Sequence, residues 1–246
     1  MGAVNTVFKR YEKKYHLTQE QYQRFRQLIE PYMQVDEYGK STICNIYYDT
    51  ESFDLIRASI EKPVYKEKLR LRSYGDPKAS DNVFLEIKKK YRGIVYKRRI
   101  VMPLEQAQKG IRSRNIPDDS QIGREINYFL KHYDLMPRLF LAYDRIAMYG
   151  KENENLRMTF DFAIRSREDT LDLSEGDSGE LYFDGDDVLL EIKAEKAYPL
   201  WLVRALEECN IYPESFSKYG NIYKKTLLPK YLKMVSKDSK SAKELK

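Results

Sequence analysis

The sequence predicts an α+β fold, in which an antiparallel β tunnel barrel has a charged interior and helices pack on its outside. Between Val64 and Tyr74, cationic side chains occupy every second position from Lys66 to Arg72, and Leu69 and Leu71 lie between them, which is typical of a strand with two unlike faces. Other segments carry apolar residues at helical spacing, and such helices need an apolar surface to cover. A barrel with its apolar face turned outward and its charged face turned inward satisfies both requirements.

Strands and helices alternate at first, and hairpins follow. The predicted strands span residues 7–15, 42–48, 64–74, 83–90, 94–101, 138–148, 156–167 and 188–194. The predicted helices span residues 18–33, 52–60, 103–111, a stretch after Pro117, and 199–209. Thr18 and Gln21 form a capping box that starts the first helix. The acidic segment 168–180 contains Gly and Ser and is predicted to be a mobile loop.

One domain and a short tail account for the length of the chain. The chain has 246 residues, of which 42% are apolar, and this is enough for one hydrophobic core. We expect a domain over residues 1–228 and a lysine-rich, disordered tail over residues 229–246. Because the tail supplies much of the net charge of +6, the positive charge of the body is patterned rather than abundant.

The cysteines and the hydropathy bear on the cellular compartment of the protein. Cys44 and Cys209 are widely separated, which favours a reducing intracellular compartment over a disulfide framework or a zinc site. No apolar segment approaches the length of a membrane span. We therefore expect a cytoplasmic location.

One strand face collects most of the charge. By position along the predicted strands, this face carries Arg10, Glu12, Lys14, Lys66, Lys68, Arg70, Arg72, Glu86, Lys88, Lys90, Lys97, Arg99, Arg145, Arg157, Arg165, Arg167, Glu191 and Lys193. Like charges that face each other across a sheet repel, so an anionic ligand is expected among them. Arginine and lysine together suit a chain of phosphates. The alternative is an α+β sandwich whose charged faces point to water.

Three carboxylates interrupt the cationic face and are candidates to hold a divalent metal. Glu12, Glu86 and Glu191 could bind a cation that bridges phosphate oxygens, or they could pair with the adjacent Lys and Arg residues. The sequence has no Gly-rich phosphate loop, and neither His16 nor His132 has ligand spacing with the cysteines. Catalysis would therefore have to be electrostatic.

Several short motifs resemble a known family. They are Arg10-Tyr-Glu-Lys-Lys14-Tyr, Lys68-Leu-Arg70-Leu-Arg72-Ser-Tyr-Gly, Phe84-Leu-Glu86-Ile-Lys88, Tyr96-Lys97-Arg98-Arg99, Tyr143-Asp-Arg145, Leu190-Glu191-Ile-Lys193 and Ser215-Phe-Ser217-Lys218-Tyr-Gly. Over about residues 7–226 they are similar to the polyphosphate polymerase domain of the VTC (vacuolar transporter chaperone) type. That domain belongs to the triphosphate tunnel metalloenzyme (CYTH-like) superfamily, whose fold is an antiparallel tunnel barrel lined with basic residues.

The resemblance implies an activity and a set of site residues. The terminal phosphoryl group of ATP would move onto phosphate or a growing polyphosphate, with Mn²⁺ or Mg²⁺ as cofactor. ATP and inorganic polyphosphate would be the partners, and a membrane-protein partner is compatible with the family. The implied catalytic residues are Lys14, Arg70, Arg72, Lys88, Arg145, Arg165 and Lys193. The expected phosphate-binding residues are Arg10, Lys68, Lys97, Arg99, Ser217 and Lys218, and the expected metal ligands are Glu191, Glu12 and Glu86.

One departure from the superfamily pattern bears on the reaction. Hydrolytic and cyclase-like members usually show Glu-x-Glu-x-Lys on the first strand, whereas this chain has Arg10-x-Glu12-x-Lys14. The change removes one carboxylate and adds one cation, which favours a polymerase and weakens Glu12 as a metal ligand. The alternatives are an inorganic tri- or polyphosphatase of the same fold and a non-catalytic module that binds polyphosphate or inositol pyrophosphate. A nucleic-acid-binding surface is not expected, because the cations lie on periodic strand faces opposite apolar ones and no aromatic ribonucleoprotein-type motif lies among them.

Overall fold

The computed structural model describes residues 11–92 and 94–244, with side chains described as far as Ser236. The strands are β1 (Tyr11–Leu17), β2 (Met33–Asp49), β3 (Tyr65–Tyr74), β4 (Asn82–Tyr91), β5 (Ile94–Pro103), β6 (Met136–Gly150), β7 (Arg157–Arg167), β8 (Glu180–Leu181), β9 (Val188–Ala194) and β10 (Pro213–Glu214). The helices are α1 (Gln19–Ile29), α2 (Asp54–Ile60), α3 (Leu104–Arg112), α4 (Gln121–His132), α5 (Leu200–Glu208), α6 (Lys218–Ile222) and α7 (Leu228–Glu244), with a π-helical turn at Tyr223–Leu227.

The predicted α+β class and the predicted main strands are confirmed, except that residues 7–10 of the first predicted strand lie outside the described residues. The predicted capping box is also present, because Thr18 Oγ1 accepts a hydrogen bond from Gln21 N at 3.2 Å and Gln21 Oε1 accepts one from Thr18 N at 3.0 Å. Strand β2 is longer than predicted and begins at Met33. Among the described residues, no helix is both long and apolar enough to cross a membrane.

The strands form one antiparallel sheet that is not closed into a barrel. Its order is β10-β1-β9-β7-β6-β2-β3-β4-β5, with β8 paired to β7. Strands β10 and β5 lie at the two ends, and no ladder between them is formed by the residues that the structure describes. The predicted closed barrel is therefore wrong in this respect. One physical reason is that β10 has only two residues and is too short to continue the ladder.

The sheet is nevertheless strongly curved. Lys14 Nζ on β1 donates to Phe216 O at 3.1 Å, and Lys68 Nζ on β3 donates to Ser217 Oγ at 3.4 Å. Five strand spacings separate β1 from β3 in the sheet order, which corresponds to about 24 Å on a flat sheet. Because both lysines reach adjacent residues of one segment, the sheet curls around that segment. We call the side that faces it the concave face.

Two apolar clusters cover the convex face, as the helix pattern predicts. Helices α3 and α4 pack on residues such as Leu69 and Leu85, and helices α1 and α5 pack on residues such as Phe160 and Leu190. These side chains are fully buried. The helices therefore pack on the apolar faces of β3, β4, β7 and β9.

A third apolar cluster fills part of the concave face, which differs from the predicted charged interior. It joins residues of β2 and β6, such as Tyr47 and Tyr143, to α2, α6 and the π-helical turn. The reason lies in residues 139–143, which are apolar at both alternating positions, so this part of β6 is buried on both faces.

Residues 230–244 belong to helix α7 in the structure, whereas the sequence predicts a disordered tail over residues 229–246. Leu227, Leu228 and Tyr231 pack against the third cluster, and this contact anchors the start of α7. The division into one domain of residues 1–228 and a separate tail stays a prediction.

Candidate functional site

The predicted cations of β3 and β4 lie on the concave face and face one another in register. Lys66 is opposite Lys90, Lys68 is opposite Lys88, and Arg70 is opposite Glu86. On the next strand, Lys97 is opposite Lys88 and Arg99 is opposite Glu86. The alternation in the sequence therefore placed these side chains on the correct face.

Glu86 organises the first cluster of the site. Its side chain is 2% exposed, and its Oε2 accepts a hydrogen bond of 2.6 Å from Arg70 Nε. Arg72 Nε lies 3.9 Å from Oε2 and Lys97 Nζ lies 3.5 Å from Oε1. Burial opposes ionisation, yet these three cations lower the pKa of Glu86 to about 2. Glu86 is therefore a permanent anion that fixes the guanidinium of Arg70.

The two arginines of this cluster also contact polar residues that the sequence analysis missed. Arg70 donates to the hydroxyl of Tyr47 at 3.2 Å. Arg72 donates to Asn45 Oδ1 at 2.9 Å and to the hydroxyl of Tyr143 at 3.1 Å. These partners come from β2 and β6, and their positions on the concave face could have been read from strand alternation once the register was known.

Asp161 organises a second cluster and was also missed as a site residue. Its side chain is fully buried, and it accepts hydrogen bonds of 2.6 and 2.8 Å from Arg145. Lys218 donates to the same carboxylate. Burial would raise the pKa of Asp161, but Lys218 and Arg145 hold it below its usual value. The signal in the sequence was its position on the charged side of residues 156–167.

Glu191 organises a third cluster. Lys193 Nζ lies 2.5 Å from one carboxylate oxygen and Lys14 Nζ lies 3.6 Å from the other. Against the effect of burial, Lys193 and Lys14 lower the pKa of Glu191. Glu12 lies 3.9 Å from the same ammonium of Lys14. Two of the predicted metal ligands are therefore close to each other.

The segment at Phe216–Lys218 links the clusters. Ser217 caps α6, because its Oγ accepts a hydrogen bond of 3.2 Å from Gly220 N. The same oxygen accepts a hydrogen bond from Lys68 Nζ. Lys218 donates to Asp161, and Lys14 donates to Phe216 O. The structure thus brings the predicted residues Ser217 and Lys218 to the centre of the concave face.

Arg165 does not lie with the other predicted catalytic residues. Strand β7 has one extra residue opposite Tyr143, at Ala163, whose φ is 44°. Beyond this bulge the two faces of the strand exchange, so Arg165 and Arg167 point to the convex side. There Arg165 binds Asp144 and Asp177, and Arg167 donates to carbonyls of the loop after β7. The parity prediction for these two arginines is therefore wrong, and the predicted mobile loop is held by them.

The remaining predicted residues have different positions. Arg10 lies outside the described residues. Arg99 lies 4.8 Å above the ring of Phe84, at the exposed edge strand β5. Desolvation lowers the pKa of Lys88, with Lys14 and Arg70 acting in the same direction and Glu12 and Glu191 opposing the shift. Lys88 therefore faces β1 and β9 across the concave face. The functional role of each of these residues stays a prediction.

Of the three carboxylates predicted to bind a divalent metal, two have surroundings that suit a metal ligand. Within the described residues, His, Cys, Asp and Glu side chains form no group of three or more that could hold a metal ion. Mg²⁺ commonly takes only one or two carboxylates and completes its shell with water and substrate phosphates. Glu191 and Glu12 fit this pattern, because they lie together beside Lys14. Glu86 does not fit, since three cations bind it inside the sheet.

We expect the affinity of this site for anions to fall as the pH rises through about 8. Desolvation and the neighbouring Lys66, Lys88 and Lys14 lower the pKa of Lys68 to about 8. Burial alone would raise the pKa of the Tyr143 phenol, but Arg72, Arg145 and Lys218 lower it to about 8. Above this pH, the site loses positive charge at Lys68 and gains negative charge at Tyr143.

Calorimetric titration of tripolyphosphate on either side of pH 8 tests this expectation, and Lys68→Gln should show a smaller pH dependence than the unchanged protein. The stability of the ligand-free protein, in contrast to its affinity for anions, should increase over this pH range. A folded-state pKa below the unfolded value means that the unfolded chain binds more protons, so the contribution of Lys68 to stability rises with pH above about 8. Affinity that is constant across this range would contradict the assignment.

Comparison with known proteins identifies the family. A family model described as VTC domain matches residues 9–227. The chain belongs to the VTC-domain family. This match covers the strands and helices that build the concave face, and it confirms the resemblance expected from the sequence motifs. Among curated proteins, none matches this VTC-domain chain.

Solved structures share the fold of this VTC-domain protein. The candidate adenylyl cyclase HpAC1 from Hippeastrum, described as having a dominant triphosphatase activity, matches with a TM-score of 0.56 and 17% identity over 88% of this chain and 96% of its own. A candidate adenylate cyclase from Bacillus halodurans matches with a TM-score of 0.54 and 15% identity over 84% and 92% of the two chains. These likenesses agree with the CYTH-like tunnel fold that the resemblance implies.

Proposed function

We propose that the VTC-domain protein is a polyphosphate polymerase, which transfers the terminal phosphoryl group of ATP onto phosphate or onto a growing polyphosphate. The observation that supports this function is the convergence of three cation clusters on the concave face, centred on Glu86, Asp161 and Glu191. Each cluster holds its cations by a buried or nearly buried carboxylate, so the cations are fixed before a ligand arrives. Fixed charge of this kind is what phosphoryl transfer requires.

The side chains divide the work according to their chemistry. Arg70, Arg72 and Arg145 present planar forks suited to the oxygens of the transferred phosphoryl group. Ser217 and Lys218 lie beside them and would bind the adjacent phosphates. An oxygen of the acceptor phosphate forms a bond to the terminal phosphorus of ATP, while the bond to the bridging oxygen breaks and ADP leaves with the electron pair. The acceptor is already an anion, so no general base is needed.

A divalent metal fits at Glu191 and Glu12 and would neutralise charge on the phosphate oxygens. The chain itself supplies Lys14 and Lys193 at this place, and both pair with Glu191. These lysines would hold the phosphates whose charge the metal does not neutralise. We propose that this metal is Mn²⁺ or Mg²⁺.

A tri- or polyphosphatase is the second candidate, and one observation favours it. The structural neighbour HpAC1 is described as having a dominant triphosphatase activity. A water molecule would then replace the acceptor phosphate, and orthophosphate would be the product. The same cations would bind the substrate in either case.

One experiment separates the two reactions. The purified protein is incubated with ATP and Mn²⁺ or Mg²⁺, the products are separated on a polyacrylamide gel stained for polyphosphate, and ADP and free phosphate are measured. A ladder of polyphosphate with ADP supports the polymerase. Orthophosphate without a ladder establishes the phosphatase, and the absence of both products overturns both enzymatic candidates.

Glu191→Gln should abolish most of this activity while the protein remains folded. The change keeps the shape of the side chain and removes the charge that holds Lys14 and Lys193, as well as the expected metal ligand. A loss of about a hundredfold in rate is expected for removal of a group that acts on transition-state charge. Glu208→Gln is the matched control, because Glu208 pairs with Arg24 on the exposed surface of α5. Equal activity of the two variants would contradict the role of Glu191.

A further inference from the structure

A patch of exposed apolar side chains lies at one end of the sheet, away from the three carboxylate-centred clusters. Strand β3 begins, β4 ends and β5 begins there, and Tyr65, Tyr91 and Ile94 form one row across the three strands. We call residues 62–66, 90–92 and 94–96 the strand tip. Its large apolar side chains are between 42% and 65% exposed, and they are Val64, Tyr65, Tyr91, Ile94, Val95 and Tyr96. Exposed apolar groups that lie this close together indicate a binding surface, whereas single exposed ones do not.

The apolar side chains lie on both faces of the strand tip. Tyr65, Tyr91 and Ile94 lie opposite one another and point to the convex side, which is the side of Leu69, because paired residues of antiparallel strands share a face. Val95 belongs to the next row and, by strand alternation, points to the concave side. A rigid protein surface would cover one face of such an end and leave the other exposed. A fluid surface can surround both faces.

The charges around these side chains are mostly positive. Residues 61–66 and 90–96 contain one acid, Glu61, and four cations, which are Lys62, Lys66, Lys90 and Arg92. Within the part of the chain that the structure describes, none of these four cations has a carboxylate within 4.0 Å. The guanidinium of Arg92 lies 5.3 Å from the centre of the Tyr91 ring, so charge and apolar surface are mixed within the strand tip. A partner that covers this surface must therefore offer negative charge together with an apolar interior.

These residue types suit the surface of a bilayer that contains anionic lipids. Tyrosine has an apolar ring and a polar hydroxyl, which places it at the level of the lipid headgroups. Val64, Ile94 and Val95 are aliphatic and can insert just below that level. Lysine and arginine are attracted to the negative surface potential of anionic lipids. A nucleic acid would use the cations and the tyrosines but would leave the aliphatic side chains exposed to water.

We propose that the strand tip docks the protein on an anionic membrane surface, with Val64, Ile94 and Val95 inserted among the lipid headgroups and the four cations bound to lipid phosphates. The binding is peripheral, since it uses the ends of three strands and no spanning segment. The proposal does not depend on which reaction the concave face performs, because it requires lipid binding alone.

The test measures co-sedimentation of the purified protein with vesicles of phosphatidylcholine, with and without phosphatidylglycerol. The protein should bind the vesicles that contain the anionic lipid, and added salt should weaken this binding. Ile94→Thr combined with Val95→Thr keeps every charge and the β-branched shape, and its affinity should fall about tenfold because apolar contact is lost. Lys62→Gln combined with Arg92→Gln keeps the apolar groups and should lose about ten- to thirtyfold in affinity.

Matched controls come from α5 and the residues just before it, which lie over the other half of the sheet. Leu200→Thr combined with Val203→Thr removes two aliphatic side chains that are 62% and 46% exposed. Lys196→Gln combined with Arg204→Gln removes two exposed cations. Both controls should bind vesicles as the unchanged protein does. All four variants should unfold at the temperature of the unchanged protein, so that a loss of binding is not a loss of folding.

Several outcomes would overturn the proposal. Equal binding by the unchanged protein and by both strand-tip variants would show that the strand tip does not contact lipid, and so would the absence of binding to either kind of vesicle. Release of the protein from vesicles by tripolyphosphate, at constant ionic strength, would assign the binding to the concave face. A dimer in light scattering that Ile94→Thr with Val95→Thr dissociates would make the strand tip a contact between two copies of the chain. The products seen on the polyphosphate gel have no bearing on this comparison.

Discussion

Asp161→Asn is expected to cause the largest loss of stability of any conservative substitution in the site. The Asp161 carboxylate is fully buried and accepts hydrogen bonds from Arg145 and Lys218. Asn keeps the shape but leaves two cations close together with no anion between them. Removal of one partner from a buried ion pair costs about 3–5 kcal/mol of the free energy of unfolding. Urea denaturation followed by circular dichroism measures this loss.

A surface pair of the same residue types provides the control. Asp134, which is 78% exposed, pairs with Arg114 on the surface. Asp134→Asn should change the free energy of unfolding by less than about 1 kcal/mol, since exposed ion pairs contribute little. Similar losses for the two variants would show that burial does not strengthen the Asp161 cluster. Polyphosphate added to Asp161→Asn should recover part of the stability, because phosphate then supplies the missing negative charge.

Arg70→Lys is expected to lower the rate of phosphoryl transfer by about a hundredfold or more, although the charge is conserved. The Arg70 guanidinium donates to Glu86 and to Tyr47 with separate nitrogens, so its plane is fixed toward the centre of the site. An ammonium can make the ion pair with Glu86 but cannot present two parallel donors to a phosphate. The loss should appear mainly in the rate constant for turnover rather than in the affinity for polyphosphate.

The matched control for this change is Arg204→Lys on the exposed side of α5. It makes the same chemical replacement away from the concave face and should keep full activity. A normal rate for Arg70→Lys would show that charge alone is sufficient at this position. A folded variant that has lost polyphosphate affinity and turnover to the same extent would assign Arg70 to binding instead of the transition state.

The alternation of residues 64–74 predicts the most important part of the site, because side chains in a strand have a strict period of two. The charged face, the two hairpins of residues 64–101 and the helices on the convex side follow from this rule, from the turn residues and from helical spacing. Sheet closure does not follow, since it depends on how far the terminal strands extend. The third apolar cluster was missed for a similar reason, because residues 139–143 are apolar on both faces and alternation carries no information there.

Two features of the site cannot be predicted from the sequence and are seen only in the structure. The register of β6 and β7 brings Asp161 opposite Arg145, and a list of charged residues does not give that pairing. The bulge at Ala163 has no sequence signal, because an alanine with a φ of 44° stands where glycine would be expected. The metal prediction was limited in the same way, since the sequence does not show that Glu86 is enclosed by three cations.

The bulge in β7 also makes the composition of the concave face depend on the number of residues in that strand. Deletion of Ala163 would remove the bulge and leave Arg165 and Arg167 on the convex side. Insertion of one residue between Ile164 and Arg165 would instead shift the alternation by one position, so that both arginines would turn toward the concave face. Two arginines would enter the site without any substitution, and the loop after β7 would lose the side chains that hold its carbonyls. One inserted residue would therefore change the charge of the concave face and the anchoring of the loop after β7 together. A substitution elsewhere in the strand changes one side chain at a time.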